Sequence, residues 1–176
     1  MPGFTSTINY ILSIGTILLQ FLSLILIIGL FSKDKSAFFK FFGQNALKII
    51  TILAFISMGS SLLYSEVIKY PPCTLCWYQR IFMYSIAFFG LTALIKKFKT
   101  EVFSYIKIFS VVGFIIALYH STIRFIGSEP IPCSASGPSC LQELFLQFGY
   151  IDIPMMSLTG FVFILLILQT RKRFIA

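Results

Sequence analysis

Five long apolar runs, at residues 8–31, 47–65, 77–95, 102–123 and 153–170, leave this chain little choice of fold. Hydrocarbon offers no partner to a bare peptide group, so a crossing segment must be a helix of about 20 apolar residues, with roughly 17 to 25 tolerated. Within the five runs only Lys48, Arg80 and Lys107 are charged, each near an end from which a long basic side chain can snorkel to the interface. With 57% hydrophobic and only 11% charged residues, the 176-residue chain has too little polar surface to wrap a water-soluble core. The net charge of +8 does not make a nucleic-acid surface, because the basic residues gather in short clusters beside the apolar runs. Residues 1–10 carry no Lys or Arg, so the basic start of a secretory signal is missing and the first run is expected to be retained as a span.

Basic loops stay on the cytoplasmic side, which orients the spans. Lys33, Lys35, Lys40 and Lys48 surround the first connection, Lys96, Lys97, Lys99 and Lys107 the third, and Arg171, Lys172 and Arg173 the tail, against Lys69, Arg80 and Arg124 elsewhere. The expected topology has the N-terminus and the second and fourth connections outside, and the C-terminus in the cytoplasm. Every cysteine falls in those two outer connections, although the charge argument never used them. Thiols facing an oxidising compartment can hold disulfides that cytosolic reductants would open. Phe39 and Phe42, among the residues at 32–46, point to an aromatic and basic interfacial segment with no chemistry of its own. There is no internal repeat, and no loop is long enough to be a separate domain.

The tract Pro71-Pro72-Cys73-Thr74-Leu75-Cys76-Trp77-Tyr78-Gln79-Arg80 stands at the outer start of the third span. Two prolines break the preceding chain, and the unsatisfied N–H groups and positive dipole end of the helix that follows favour a thiolate. Arg80 lies one turn beyond Cys76 on the same face, where its charge could stabilise a thiolate or a reduced quinone's oxygen, although an interface anchor is the plainer role. Cys-x-x-Cys also occurs in half-zinc sites and structural disulfides. Zinc is disfavoured, since the second pair, Cys133 and Cys140, has a longer spacing in an exterior loop, and no metal is expected.

The second tract, Pro132-Cys133-Ser134-Ala135-Ser136-Gly137-Pro138-Ser139-Cys140, is rich in turn formers, so its cysteines can fold back toward one another. Ser139 with Gln142 suggests a capping box, and Leu141, Leu144, Phe145 and Phe148 follow helical spacing. A short interfacial helix is therefore expected in the last outer loop, holding the second pair low over the first. His120, the single histidine, stands at the outer end of the fourth span at a depth similar to Arg80. Glu66 reads as a water-facing carboxylate at a helix end.

These residues resemble the DsbB/BdbC membrane proteins that make disulfides in bacteria. The run from Cys73 to Arg80 is similar to their active-site signature, while Cys133 through Cys140, followed by Ile153-Pro154, resembles the compact second loop of the BdbC branch, as does Leu63-Tyr64-Ser65-Glu66. The likeness spans about residues 47–170 and leaves the first span outside the family's usual four helices. It implies an all-α integral membrane protein in which a four-helix transmembrane bundle (47–176) carries an extra N-terminal transmembrane helix with its connection (1–46). The vitamin K epoxide reductases also join four helices, two cysteine pairs and a quinone, but there the loop pair precedes the Cys-x-x-Cys.

By resemblance, Cys73–Cys76 and Cys133–Cys140 are two disulfides in relay, Cys133 takes the partner and Cys140 attacks Cys73. Cys76, with Arg80 and His120, faces a quinone, ubiquinone or menaquinone, to which His120 delivers protons. The implied partner is a DsbA/BdbD-like thioredoxin-like thiol oxidase, and the implied site is the bacterial cytoplasmic membrane with the cysteines outside. A non-catalytic membrane protein with stapled exterior loops is the rival reading, distinguished by disulfides that do not respond to a reduced partner and quinone. A transporter is a weaker rival, since no span is broken or charged at its middle.

Overall fold

In a computed structural model the described residues are 2–31, 37–96, 101–128 and 138–174. Cys133 and the lysines Lys33, Lys35, Lys97 and Lys99 of the expected topology lie outside them. The described chain is helical throughout its spans: α1 (Pro2–Phe31), α2 (Ala37–Gln44), α3 (Ala46–Leu62), α4 (Thr74–Lys96), α5 (Val102–Ile126) and α6 (Ile153–Phe174). Apart from the short α2, each is long and apolar enough to cross a membrane, as the five runs require. α1, α3, α4 and α5 carry large apolar side chains on their outer faces, among them Leu18, Ile52, Phe88 and Ile115, as helices solvated by lipid must.

Neighbouring helices α3, α4, α5 and α6 pack in chain order as a four-helix bundle, closed by contact between α3 and α6. α6 is the central element: Phe161, Ile164, Ile167 and Thr170 are fully buried, and α1 lies along its outer flank. Between helices in lipid, tight packing must replace the hydrophobic drive, and small residues permit it. A Cβ on Gly90 would meet the Thr51 side chain of α3, and one on Gly113 would meet the Phe161 ring. Gly113→Val is therefore expected to lower stability by about 1–3 kcal/mol, the usual cost of overpacking. A denaturation midpoint in detergent equal to the wild type's would contradict that packing.

The expected aromatic segment is the amphipathic α2, whose Phe39 ring stacks on Phe174 of α6 at 5.6 Å. At its C-terminal end α3 widens into a π-helical turn, Leu63–Val67, where the Ile68 N–H reaches the Leu63 carbonyl at 3.0 Å. Positive φ at Lys69 (66°) then turns the chain toward α4.

The short helix expected after Cys140 does not form. Residues 138–152 are turns with one isolated bridge, in which the Gln147 and Ile151 backbones exchange hydrogen bonds at 2.9 Å. The capping residues do begin a turn, since Ser139 accepts bonds from the N–H groups of Leu141 and Gln142. The Leu141 carbonyl, which a helix would need for the residue 145 N–H, instead accepts from Arg124. Positive φ at Phe148 (54°) and Gly149 (80°) closes the bridge and excludes a helix there. The loop nevertheless lies over the bundle, with Phe145 stacked on Tyr64 at 5.6 Å.

Candidate active site

Cys73 immediately precedes α4, because Pro71 and Pro72 cannot donate to a continuing ladder and the helix can start only beyond them. Its carbonyl accepts the Trp77 N–H at 3.1 Å, and its sulfur accepts the Cys76 N–H at 3.4 Å, so the cysteine caps its own helix. The sulfurs of Cys73 and Cys76 lie 3.1 Å apart, close enough to pair with one another. Cys140 is disulfide-bonded and buried.

His120 joins the two loops. It is buried near the C-terminal end of α5, its Nε2–H donates to the Cys140 carbonyl at 3.2 Å, and the same nitrogen stands 3.8 Å from the Cys73 sulfur. The Gln79 side-chain amide donates to Nδ1 at 3.0 Å, which fixes the proton on Nε2. The Cys73 sulfur, a His120 ring nitrogen and the Cys140 sulfur all lie within 4.8 Å of one another. Two cysteines and a histidine at that spacing could also hold a metal, but Cys140 in a disulfide has no thiolate to offer one.

The Cys73 thiol is held well below the usual thiol range, first by the hydrogen bond from Cys76, then by His120 and the Cys76 backbone N–H, against the opposing effect of burial. A depressed value means the thiolate persists as pH falls below about 8.5, the ordinary thiol value, and is lost only when pH drops through the lower one. An ultraviolet thiolate titration of protein with the inner pair reduced should show that acid midpoint, and His120→Ala should raise it. A midpoint at the ordinary value would contradict this geometry.

Cys76 borders both sides, standing with Cys73, His120 and Cys140 around the small pocket between the pairs. With Arg80 and Gln79 it lines a cavity of about 390 Å³ between α1, α3, α4 and α6, whose walls are mainly apolar. Arg80 donates to the Ser61 carbonyl at 3.0 Å and lies 5.2 Å from the centre of the Trp77 ring. His120 does not line this cavity; it stands on the sulfur-exchange side, and Gln79 lies between the two. Glu66 is exposed and bonded to Ser65 at 3.0 Å, away from both.

Two positioning groups had no role in the sequence reading. Arg124, one turn beyond His120 on α5, donates to the Leu141 carbonyl, to Asp152 at 3.2 Å and to Glu143 at 3.3 Å. Asp152 accepts that bond on one oxygen and the Met155 N–H on the other at 2.9 Å, capping α6. Gln79 is the second. Its place three residues after Cys76 was legible, but its partner on another helix was not.

Residues 44–169 match the family described as "Disulfide bond formation protein DsbB". The chain is 36% identical over 129 residues to "SPbeta prophage-derived disulfide bond formation protein B" of Bacillus subtilis, covering 70% of this chain and 86% of that protein. It is 35% identical over 120 residues to "Probable disulfide formation protein C 2" of Bacillus anthracis (68% and 85% covered). It is also 35% identical over 137 residues to "Probable disulfide formation protein" of Oceanobacillus iheyensis (74% and 93% covered). No solved structure is a significant match.

Proposed function

Because the chain belongs to the DsbB family of disulfide bond formation proteins, we propose that it reoxidises a thioredoxin-like thiol partner and delivers the electrons to a lipid-soluble quinone. It is a multi-pass membrane protein and a disulfide-forming oxidoreductase. The observation that carries the finer reading is that Cys76 bridges two spaces: it shares a small pocket with Cys73, His120 and Cys140, and it alone of the pair lines the apolar cavity.

Each exchange needs a thiolate attacking a sulfur in line with the bond that breaks. A partner thiolate attacks Cys133, the Cys133–Cys140 bond breaks, and Cys140 leaves as a thiolate. Cys140 attacks Cys73, the Cys73–Cys76 bond breaks, and Cys76 leaves as a thiolate at the cavity. The partner's second thiol displaces Cys133, which then attacks Cys140 to remake the outer disulfide and release Cys73. The result is an oxidised partner and a reduced inner pair.

His120 holds a proton on Nε2 beside the sulfur that must become a leaving group, and Gln79 orients the ring. A protonated ring would be met by the opposite face of the same amide, turned by half a revolution, giving His120 a hydrogen-bonded route toward the cavity. The cavity's volume lies within the roughly 300–1,000 Å³ of small-molecule pockets, and its residues fit a quinone: an apolar wall, the Cys76 sulfur, the Gln79 amide and the Arg80 cation. A quinone supplies an acceptor for two electrons and two protons. The cysteines lie on the outer side of the bacterial cytoplasmic membrane, with the N-terminus outside, residues 47–176 forming the catalytic bundle and 1–46 an added unit.

Anaerobic mixing of a reduced thioredoxin-like partner with the protein and a quinone tests the reading. One quinol should form for each partner disulfide. Partner oxidation that stops after the enzyme's own disulfides are consumed would overturn quinone as the acceptor.

A further inference from the structure

α1 precedes the residues that match the family, yet it supplies a wall of the cavity into which Cys76 faces: Leu12, Gly15, Thr16 and Leu19 line it opposite Cys76 and Arg80. We propose that α1 is a binding wall for the quinone and that the bare backbone at Gly15 sets the room available to it. This rests on the quinone reading above.

Two observations support a built wall rather than a helix that merely crosses nearby. First, α1 carries a polar stripe in hydrocarbon, Asn9, Ser13, Thr16, Gln20 and Ser23, spaced by four and three residues and so on one face. Four of the five are buried. Such a stripe is costly against lipid, so this face is made to be covered by protein. Second, its polar ends grip the elements that frame the cavity. The Tyr64 hydroxyl of the π-helical turn donates to Asn9 at 3.0 Å, Gln20 donates to Thr159 of α6 at 3.2 Å, and the Tyr150 hydroxyl of the outer loop donates to Gln20 at 2.8 Å. Between those anchors, a Cβ added at Gly15 would meet nothing within 4 Å. Gly15 is exposed and lies at the cavity's open edge, so larger side chains there would narrow its mouth without displacing protein.

A graded series, Gly15→Ala, Gly15→Leu and Gly15→Phe, tests the wall. Quinol formation with a one-isoprene quinone gives KM and kcat, and quenching of the single tryptophan, Trp77, by the same quinone gives binding without turnover. The expected result is a KM that rises with side-chain size, by about tenfold or more at Phe, with a matching loss of quenching affinity. Transfer of electrons from the partner into the enzyme's disulfides, measured without quinone, should keep its wild-type rate. Ile14→Phe, about a quarter turn around α1 from Gly15, exposed and outside the cavity lining, should keep the wild-type KM and affinity. Unchanged KM and affinity across the Gly15 series would overturn the wall while leaving the quinone reading standing. A wild-type protein that neither binds nor reduces quinone would overturn both.

Discussion

In Cys76→Ser protein, quinol formation is expected to fall to the uncatalysed background, while the reduced partner still opens the outer disulfide. Cys76 is the sulfur that lines the apolar cavity, and Cys73 is turned away toward His120 and Cys140. A serine there keeps a hydrogen-bond donor beside Cys73 but can form no inner disulfide, so the relay loses its oxidised form. In Cys140→Ser protein the outer disulfide cannot form, so reduced partner should not be oxidised at all; the Cys133 thiolate can instead attack the disulfide of an oxidised partner, whose second sulfur leaves as a thiolate, and the resulting mixed disulfide should be visible on a non-reducing gel. Wild-type quinol formation in Cys76→Ser protein would remove the inner pair from the path.

Arg124→Ala should slow transfer between the two pairs on the order of 10²-fold, because a displacement of about 1 Å in a reacting group can cost that much. Arg124 is largely buried and holds the outer loop at three places, the Leu141 carbonyl next to Cys140, Glu143 and Asp152. The bond to exposed Glu143 contributes little, about 0–1 kcal/mol, so Glu143→Gln should be nearly neutral. Lysine cannot reproduce a planar fork that reaches three acceptors, so Arg124→Lys should remain impaired. Rapid quenching with an alkylating reagent, following reduction of Cys73 and Cys76 by partner, measures the step. A wild-type rate in Arg124→Ala protein would show that the loop is placed by something else.

Much of the architecture was legible because membrane spans are local: length, apolarity and the lack of midspan charge describe each helix from its own residues. The same holds for Cys73, whose place ahead of α4 follows from the two prolines before it and the apolar run behind it. The outer loop was not legible in this way. Leu141, Leu144, Phe145 and Phe148 have helical spacing, yet the Leu141 carbonyl is taken by Arg124, 17 residues away, and Phe145 by Tyr64. His120 is level with Arg80 by its place in the fourth span, but the side of α4 that it faces was not legible there. That depended on helix rotation, which brings it to Gln79 and Cys73. The polar stripe of α1 was readable from spacing alone, and only its partners, Tyr64, Tyr150 and Thr159, show what it serves.

Sulfurs from two separate connections of the bundle meet, Cys73 with Cys140. The most direct measurement uses Cys76→Ser/Cys133→Ser protein, in which Cys73 and Cys140 are the remaining cysteines. Mild oxidation followed by proteolysis and mass spectrometry should find one peptide pair joined through Cys73 and Cys140, formed within a monomer. Two separately alkylated thiols, or a bond only between different molecules, would contradict the account.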